Sequence, residues 1–553
     1  MAQVPSILKH MQRAVAMLSG ELLAASESGN DCAKRRLPDV LVSRLCGSVY
    51  GSCFAATTLL TCAGFSALNL QSCSMVYTTD VARLVQTTNT TGDRLRELAG
   101  VAITSDFHFD GPVVDIGEHP DQTITGFGGA FTEASASLYA QMPSEMQEKF
   151  LELYFGSEGI GYTFGRVHIN SCDFSLSSYS FDDVDGDFDL KHFDTSLSRD
   201  EGALLPFIRA SQEMAHSHGG SVRMLASPWS PPAWMKNNGQ MDGSSAPCLK
   251  SDDRYREAWV KYISRWIQAY EAHGVQIWAI TMQNEPEANQ TWESCLYSAE
   301  ESADFLASYL GPGLRATHPD LKIFYYDHNK DHIYSWAETL HSHERAAEYA
   351  AGVAMHWYEG DHFEEVARAH KDFPQFQFLA TEATFERYRW SPGSTVAAGD
   401  WSFGLGYAHD ILGDLNAGAT GWTDWNLVLN ENGGPNHVDN VCDAAVIYDT
   451  KAKQMYVHPQ YWFVGHFSKF IPPDSKRRVA TVSGSVRYQG PARPYGTCTA
   501  ADGLQATAFE RPDGKLVAVV LNCGPAEMHM KIRDGARAIA ANMPPYSIQT
   551  YIL

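Results

Sequence analysis

Hydrophobic and polar positions follow one recurring pattern between Gly126 and Asn430. Short apolar runs, rich in β-branched or aromatic residues, end in polar residues and precede longer amphipathic stretches. Helix formers at helical spacing occupy several of these stretches, including Tyr255–Ala272 and Ala299–Tyr309. Eight strands that alternate with helices predict an α/β protein with a (β/α)8, or TIM, barrel. The apolar runs are Thr125–Glu133, Thr163–Asp173, Val222–Trp229, Ile277–Glu285, Ile323–Asp327, Val353–Tyr358, Phe376–Glu382 and Gly418–Asn426.

An open doubly wound sheet is the alternative for strands that alternate with helices. That fold usually carries a Gly-rich phosphate-binding loop after its first strand, and we find none in this position. No repeat of about 20–50 residues occurs either, which disfavours an array of equal modules. The closed barrel therefore fits the pattern better.

The sequence pattern changes after about Thr450. Short alternating strands are predicted at Leu504–Glu510, Leu516–Asn522 and Ser547–Leu553, the first two joined by a turn at Pro512–Gly514. They indicate an accessory all-β sandwich. Two extended pieces before the barrel, Val101–Phe107 and Pro112–Ile116, are candidates to complete it. The barrel would then be inserted between the two parts of the sandwich.

These patterns divide the chain into five predicted segments. Residues 1–44 form an N-terminal extension, predicted to be disordered, and residues 45–74 an apolar segment. Residues 75–120 supply sandwich strands, 121–452 the barrel and 453–553 the sandwich. Basic residues precede the uncharged stretch at 45–70, as in a signal peptide or signal anchor. The alternative is a buried or disordered leader. The first interpretation predicts secretion or a lysosomal or other endomembrane lumen, with membrane anchoring by the 45–70 segment as one form.

The net charge of the chain limits the kinds of partner that we expect. The chain has 42 basic and 65 acidic residues, a formal net charge of −23, and no long basic run. Such a surface repels phosphate backbones, so nucleic acid is not an expected partner. A neutral substrate is easier to reconcile with this charge. The sequence leaves the oligomeric state open.

Cysteines are numerous but do not form a metal-binding pattern. None of the 11 cysteines stands in a CxxC pair, which disfavours a zinc ribbon or a thioredoxin-like site. The six that follow the N-terminal region could supply one or two disulfides in a secreted chain. The pair that we favour is Cys248 with Cys295.

Two glutamates at strand ends are the candidate catalytic groups. Glu285, within Asn284-Glu285-Pro286, ends the fourth run, and Glu382 ends the seventh. Strands four and seven lie on opposite sides of a barrel mouth, where active residues of this fold gather. Two facing carboxylates are what glycoside hydrolysis requires, although an ion pair with a nearby arginine also explains a single strand-end glutamate.

These glutamates and several longer motifs resemble glycoside hydrolase family 30, which includes the glucosylceramidases. The likeness covers nearly everything from Gly126 to Leu553. The matching stretches are Gly126–Glu133 (GFGGAFTE), Ser227–Trp234 (SPWSPPAW), His356–Tyr358 (HWY), Gly421–Asn426 (GWTDWN), Gly433–Asn436 (GGPN) and Gly465–Ile471 (GHFSKFI).

The resemblance implies a retaining β-glycosidase with Glu285 as general acid/base and Glu382 as nucleophile. Its implied substrate-binding residues are Asp173, Trp229, Asn284, Tyr358, Trp425 and Asn440, with Arg166 and His356 in support. The tryptophans offer apolar faces to a sugar, although core packing is their alternative role. A general acid needs a raised pKa, so we expect burial to raise that of Glu285. Neither cofactor nor metal is expected, because the reaction needs none and His328 and His356 lack the spacing of a metal site.

The leaving group is less well defined. Glucosylceramide or a related β-glucoside is the first expected substrate, and its lipid could bring the protein to a membrane surface. The segment after Glu285, Pro286–Cys295, is polar and the fifth run continues Asp327–Lys330, features that resemble family members acting on β-1,6-glucan. Beyond these two enzymes, a sugar-binding protein that has lost catalysis is a third hypothesis, disfavoured because Glu285, Glu382 and Asn284 are all present.

Overall fold

The computed structural model describes residues 80–386, 395–500 and 503–553. The predicted N-terminal extension and the apolar segment at 45–74 lie outside the described residues. Among the helices of the described ranges, none combines the length and the apolar character needed to cross a membrane.

Eight parallel strands form a closed barrel, as the sequence predicted. Each strand pairs with the next along the chain, and the eighth closes on the first through pairs such as Gly421 with Gly126. The first two strands approach closely: a Cβ on Gly128 would lie 1.9 Å from the carbonyl oxygen of Phe164, so only glycine fits there. The strands are Gly126–Phe131, Phe164–Ile169, Arg223–Pro228, Ile277–Thr281, Lys322–Asn329, Ala350–His356, Gln377–Glu382 and Ala419–Asn426.

Amphipathic helices surround the barrel. The predicted helix at Tyr255–Ala272 is confirmed within Asp253–Ala272, whose buried face includes Trp259 and Trp266 and whose first turn is capped by the Asp252 side chain. The predicted helix at Ala299–Tyr309 is α-helical only to Phe305 and continues as a π-helical turn over Leu306–Leu310. Within the described ranges, the α-helices are Glu133–Gln141, Ser144–Phe155, Ser198–Glu201, Leu204–Ser217, Asp253–Ala272, Ala299–Phe305, Gly311–Thr317, Ile333–Ser342, Glu344–Ala347, Phe363–Asp372, Trp401–Ala417 and Pro459–Ser468.

A ten-stranded sheet with its own apolar core forms the β-sandwich. The predicted strand at Val101–Phe107 is divided between two strands, and a strand at Val81–Thr88, which sequence patterning did not single out, pairs with the C-terminal strand. The barrel is therefore inserted in the chain of the sandwich, as expected. In spatial order the strands are Asp93–Ala102, Val81–Thr88, Ser547–Ile552, Leu516–Asn522, Leu504–Glu510, Lys476–Ser483, Val113–Thr123, Met528–Asp534, Arg537–Met543 and Thr104–Ser105. A separate three-stranded sheet contains Leu429–Asn430, Val446–Asp449 and Gln454–Val457.

The last barrel helix joins the barrel to the sandwich. Pro459–Ser468 packs against Trp401–Ala417 and carries His466, which lies 2.9 Å from Thr87 and 2.8 Å from Thr550 of two sandwich strands. Burial lowers the pKa of His466 to about 3, so the ring is neutral and hydrogen-bonds both hydroxyls. The barrel is thereby attached to the sandwich by specific polar contacts.

The described residues contain two disulfides. The expected pair Cys248–Cys295 is confirmed, and Cys498–Cys523 is the second. Cys172 and Cys442 are buried free thiols. The first disulfide connects the loops that follow the third and fourth barrel strands, both of which border the barrel mouth.

Candidate active site

The carboxyl ends of the barrel strands surround a cavity of about 830 Å³. Both candidate glutamates line it, together with every residue predicted to bind substrate. Arg166 and His356 are buried beneath this surface. The predicted residues that line the cavity are Asp173, Trp229, Asn284, Glu285, Tyr358, Glu382, Trp425 and Asn440.

Glu285 is not at the end of the fourth strand, contrary to the sequence prediction. Regular pairing stops at Thr281, and the following residues bond to neighbouring strands instead. The amide of Glu285 donates to the Asp327 carbonyl at 2.9 Å, and that of Asn284 to the Pro228 carbonyl at 2.8 Å. Glu285 has a φ of 47°, which is costly for a non-glycine residue and persists only where the surroundings enforce it. The chain thus turns Glu285 into the cavity.

Glu382 is the last residue of the seventh strand, as predicted. One carboxylate oxygen forms an ion pair with Arg166, and the other accepts a hydrogen bond of 2.7 Å from the Tyr358 hydroxyl. Arg166 is fully buried, so this charge pair is poorly screened by water. Both oxygens of Glu382 are therefore held in fixed positions.

Arg166 also orients Asn284. Its second terminal nitrogen donates to the side-chain oxygen of Asn284 at 2.8 Å and to Asp327 at 2.9 Å, while its Nε donates to Ser227 at 3.1 Å. The amide nitrogen of Asn284 consequently points away from the guanidinium. This orientation would suit a donor to a ligand hydroxyl.

Asp327 is the site residue that sequence analysis missed. The sequence pattern predicts Asp327 only as the polar end of the fifth strand, with no role in the site. The carboxylate is completely buried and accepts hydrogen bonds from Arg166, Thr281, Thr381 and His356. Its pKa is held well below the usual range, because Arg166, His356 and Thr281 outweigh the opposing effect of burial. A buried aspartate with four donors is an anionic anchor for the residues around it.

His356 lies between Asp327 and Glu285. Its Nε2 is 3.0 Å from Asp327 and its Nδ1 is 3.3 Å from Glu285. Burial opposes protonation, but Glu382, Asp327 and Glu285 raise the pKa of His356 to about 9. The ring is therefore an imidazolium near neutral pH, and its Nδ1 proton faces Glu285.

The candidate glutamates have the opposite pKa order to the one expected from sequence. Burial acts to raise the pKa of Glu285, but the hydrogen bond from His356 and the charges of His328 and His356 bring it below its usual range. Burial raises the pKa of Glu382 despite the charges of His356 and Arg166, with Glu285 adding to the rise. The expected rise in the pKa of Glu285 is absent because the protonated His356 beside it stabilises the carboxylate.

Asp173 and Asn440 occupy another wall of the cavity. The Asn440 amide donates to Asp173 at 3.0 Å. Burial, with the charge of Glu382 next, raises the pKa of Asp173 to about 8. Asp173 is thus a neutral carboxyl in mildly acidic solution, able both to donate and to accept a hydrogen bond.

The two predicted tryptophans both pack in a core and line the cavity, the two alternatives that the sequence left open. Trp229 and Trp425 are stacked, with centroids 5.4 Å apart, and both are almost completely buried. Arg166 lies 4.7 Å from the centre of the Trp229 ring. Both rings pack in a core and still present part of their surface to the cavity.

Comparison with known proteins identifies the family. The model of the glycosyl hydrolase family 30 TIM-barrel domain matches residues 124–471, and that of the family 30 beta sandwich domain matches residues 484–551. The chain belongs to glycosyl hydrolase family 30 and is a glycosyl hydrolase.

Curated relatives agree with this assignment. The chain is 36% identical over 441 residues to putative glucosylceramidase 3 of Caenorhabditis elegans, covering 78% of this chain and 80% of that protein. It is 34% identical over 442 residues to lysosomal acid glucosylceramidase of Mus musculus, covering 78% and 81%. It is 30% identical over 408 residues to an endo-1,6-beta-D-glucanase of Neurospora crassa, covering 72% and 79%.

Solved structures give the same fold. SrfJ from Salmonella typhimurium aligns with a TM-score of 0.76 and 31% identity, covering 86% of this chain and 99% of that chain. The endo-beta1,6-glucanase BT3312 aligns with a TM-score of 0.71 and 26% identity, covering 85% and 99%. The relatives therefore include proteins named as glucosylceramidases and proteins named as β-1,6-glucanases.

Proposed function

We propose that the protein is a retaining β-glucosidase of the glucosylceramidase type, with Glu382 as nucleophile and Glu285 as general acid/base. The observation that carries this assignment is the difference between the two glutamates. Glu382 is held at both oxygens by Arg166 and Tyr358, whereas Glu285 shares a hydrogen bond with a protonated His356. A nucleophile needs a fixed direction of attack, and an acid/base needs a source of protons.

In the first step, Glu382 attacks the anomeric carbon as the bond to the leaving oxygen breaks. Transfer of the Nδ1 proton of His356 to Glu285 gives a carboxylic acid, which then protonates that oxygen. His356 becomes neutral and keeps its Nε2 proton towards Asp327. The lowered pKa of Glu285 is therefore compatible with acid catalysis, because the proton lies one hydrogen bond away on His356.

In the second step, Glu285 acts as base. It accepts a proton from water, whose oxygen bonds to the anomeric carbon while the bond to Glu382 breaks, and this proton then returns to Nδ1 of His356. The negative charge returns to Glu382, where the Arg166 guanidinium and the Tyr358 hydroxyl stabilise it. Glucose leaves with the β configuration because two inversions have occurred.

The remaining residues would hold the glucosyl unit. We assign hydrogen bonds to sugar hydroxyls to Asp173 and Asn440, and a contact with the 2-hydroxyl to the Asn284 amide. The exposed parts of Trp229 and Trp425 would contact sugar C–H groups. A contact with the 2-hydroxyl strengthens in the transition state, so Asn284 would affect kcat more than KM.

Chemical rescue tests the two assignments. Glu382→Gly should be folded but inactive on an aryl β-glucoside, and azide should restore turnover with formation of the α-glucosyl azide. Glu285→Ala with an activated aryl glucoside should form the β-glucosyl azide instead. Glu287→Gly, which alters another cavity carboxylate, should keep activity without azide. Rescue of Glu285→Ala with the α anomer would reverse the roles, and sugar binding without turnover by the wild type would favour a non-catalytic binding protein.

For the substrate, we propose glucosylceramide, supported by the identity of 34% and 36% to glucosylceramidases. The second candidate is a β-1,6-glucan. It is favoured by the polar character of the cavity wall near Glu285, which includes Glu287, Gln290, Asp331 and His332. Initial rates on glucosylceramide in detergent micelles and on a β-1,6-linked glucose oligomer distinguish them. A kcat/KM at least tenfold higher for the oligomer would reject the lipid.

We further infer a role in sphingolipid metabolism within a secretory or lysosomal lumen, after targeting by a signal in residues 45–74. Two disulfides support an oxidising compartment. Two glycosylation sequons, at Asn89 and Asn289, are exposed. Contact with a membrane would come from the lipid substrate or an uncleaved anchor. Removal of N-glycans from the expressed protein by endoglycosidase, with a mass shift on gels, tests passage through this pathway; a cytosolic, unglycosylated product would contradict it.

A further inference from the structure

Three potential metal ligands meet outside the catalytic cavity. Asp242, Glu293 and His437 come from three separate loops, and one ligand atom of each lies within 4.8 Å of the others. None of the three lines the catalytic cavity. Their spacing in the sequence follows no metal motif, so the cluster is visible only in the fold.

Glu293 is buried with an incompletely used carboxylate. Its side chain is inaccessible to solvent, and Oε1 accepts a hydrogen bond of 2.6 Å from Ser171. Its Oε2 is also buried and has no hydrogen-bond partner among the described residues. A buried carboxylate oxygen without a donor is costly, which indicates that it binds a group absent from the polypeptide.

His437 is oriented as a metal-binding histidine. Its Nδ1 lies 3.0 Å from the Ser175 carbonyl, which can only accept, so Nδ1 carries a hydrogen and Nε2 faces Glu293. The Nε2 to Glu293 Oε1 distance is 3.4 Å. This distance is longer than that of a charge-assisted hydrogen bond, which is about 2.7–2.9 Å. It equals the separation of about 3.4 Å between two ligands of a tetrahedral zinc ion with bonds of about 2.1 Å.

We propose that Asp242, Glu293 and His437 bind a zinc ion, with water as the fourth ligand. One imidazole nitrogen and two carboxylate oxygens suit Zn²⁺ better than Ca²⁺ or Mg²⁺, which require more oxygen ligands. Hydrogen bonds from Ser171 to Glu293 and from His437 to Ser175 provide the outer contacts that usually orient such ligands. Asp242 is exposed and gives the ion access from solvent.

The loops are already fixed in position. The Lys236 ammonium donates to the carbonyls of Met241, Gly243 and Ser294 at 2.6–2.7 Å, and Cys295 is tied to Cys248 by the disulfide. These contacts hold the backbone on either side of Asp242 and next to Glu293. Zinc binding therefore requires little ordering of the chain.

The site would stabilise the wall that holds the glucosyl unit. Ser171 precedes Asp173 in one loop, and His437 precedes Asn440 in another; Asp173 and Asn440 are hydrogen-bonded to each other. A zinc ion would connect the His437 loop to the loops of Asp242 and Glu293, which the Cys248–Cys295 disulfide also joins, and Glu293 accepts a hydrogen bond from Ser171. Its effect is structural, so it raises the melting temperature without taking part in bond cleavage.

The experiment is titration of the metal-free full chain with ZnCl₂ at pH 7.5, by calorimetry and by thermal unfolding. Glu285, His328 and His356 form a second potential metal cluster inside the cavity, so the titration uses both wild type and Glu285→Gln, which lacks one ligand of that cluster. Both proteins should bind zinc at the proposed site and gain in melting temperature. His437→Gln and Glu293→Gln in the Glu285→Gln background should lose at least thirtyfold in affinity.

His332→Gln, which changes an exposed histidine paired with Glu287, serves as the matched control and should bind zinc as its parent does. The absorption of bound Co²⁺ in the visible region gives a second readout. It should indicate tetrahedral geometry in the parent and in His332→Gln, but not in His437→Gln or Glu293→Gln. Absence of zinc binding by wild type, or binding that Glu285→Gln abolishes and His437→Gln preserves, would overturn the proposal.

Discussion

Nε2 of His356 lies 3.0 Å from Oδ1 of Asp327, and both side chains are fully buried. The second oxygen of the same carboxylate accepts from Arg166. Asp327 thus contacts His356, the partner of Glu285, through one oxygen, and Arg166, the partner of Glu382, through the other. Its charge supports both the proton on His356 and the ion pair of Arg166.

The first prediction is that Asp327→Asn disrupts both halves of the site. Loss of one partner from a buried ion pair costs about 3–5 kcal/mol, because the remaining charge stays uncompensated. The free energy of unfolding, measured in urea at pH 6, should fall by that amount. The pKa of His356 should also fall, and kcat should decrease at least 100-fold with a smaller change in KM.

Asp189→Asn provides the control for this prediction. Asp189 pairs with Lys191 on the surface, where the side chain is 68% exposed. Such a substitution changes stability by at most about 0.5 kcal/mol. A loss of less than about 1 kcal/mol in Asp327→Asn would show that Asp327 does not anchor the site.

Asp327 also shows where sequence reasoning reached its limit. Short apolar runs located all eight barrel strands, and the strand-end rule placed Glu382 correctly, because an apolar run that ends in a polar residue is a local property of the sequence. The four donors to Asp327 come from the second, fourth, sixth and seventh strands. No local pattern records such a convergence.

A second prediction concerns the Tyr358 hydroxyl. Tyr358→Phe removes the hydrogen bond of 2.7 Å to Glu382 and leaves the ring in place. If Glu382 is the nucleophile, kcat on an aryl β-glucoside should fall about 10–100-fold, which corresponds to about 1.4–2.7 kcal/mol of transition-state stabilisation. Because burial raises the pKa of Tyr358 well above its usual value, the hydroxyl remains a donor in alkaline solution. Phe substitution of exposed Tyr546, as a control, should leave kcat unchanged.

A third prediction is that stability decreases from mildly acidic to alkaline pH. The folded-state pKa of His356 is about 9, against about 6.5 in an unfolded chain. The folded protein therefore holds an additional proton between these values, and the stabilisation is complete below pH 6.5 and lost as the pH rises to about 9. Lys236, with a lowered pKa of about 7, acts in the opposite direction above pH 7. Urea unfolding at pH 6 and pH 9 should show a net loss, and a higher stability at pH 9 would contradict it.

A fourth prediction separates Asp173 from the other titrating groups. Its folded-state pKa of about 8 exceeds the unfolded value of about 3.9, so burial of Asp173 costs stability increasingly as the pH rises between them. Asn resembles the protonated acid. Asp173→Asn should be within about 1 kcal/mol of wild type at pH 4.5, exceed it by at least about 2 kcal/mol at pH 7.5, and bind glucosides more weakly. Equal pH dependence in the two proteins would show that Asp173 is ionised when folded.

Sequence reasoning failed differently at Glu285 itself. The Asn284-Glu285-Pro286 motif identified the residue. Regular strand pairing, however, ends at Thr281, and the positive φ of Glu285 depends on the hydrogen bond that its backbone amide donates to the Asp327 carbonyl. The pKa order of the two glutamates likewise depends on His356, which lies on another strand. The motif was enough to identify Glu285 as a candidate. The direction of its side chain and its protonation state depend on contacts with residues distant in the sequence.

The last prediction concerns the disulfide beside the cavity. Cys248–Cys295 closes a loop with a sequence separation of 47, which limits the unfolded chain and contributes about 4 kcal/mol in the chain-entropy description. The double variant Cys248→Ser/Cys295→Ser should lose about 2–4 kcal/mol in the free energy of unfolding. The same loop leads through Trp292 and Gln290 to the cavity wall, so KM should rise while kcat changes less. Ile539→Ala, which creates a cavity in the separate core of the sandwich, should lose about 2–5 kcal/mol without the rise in KM. An equal rise in KM in both variants would mean that general destabilisation, and not the position of the loop, controls substrate binding.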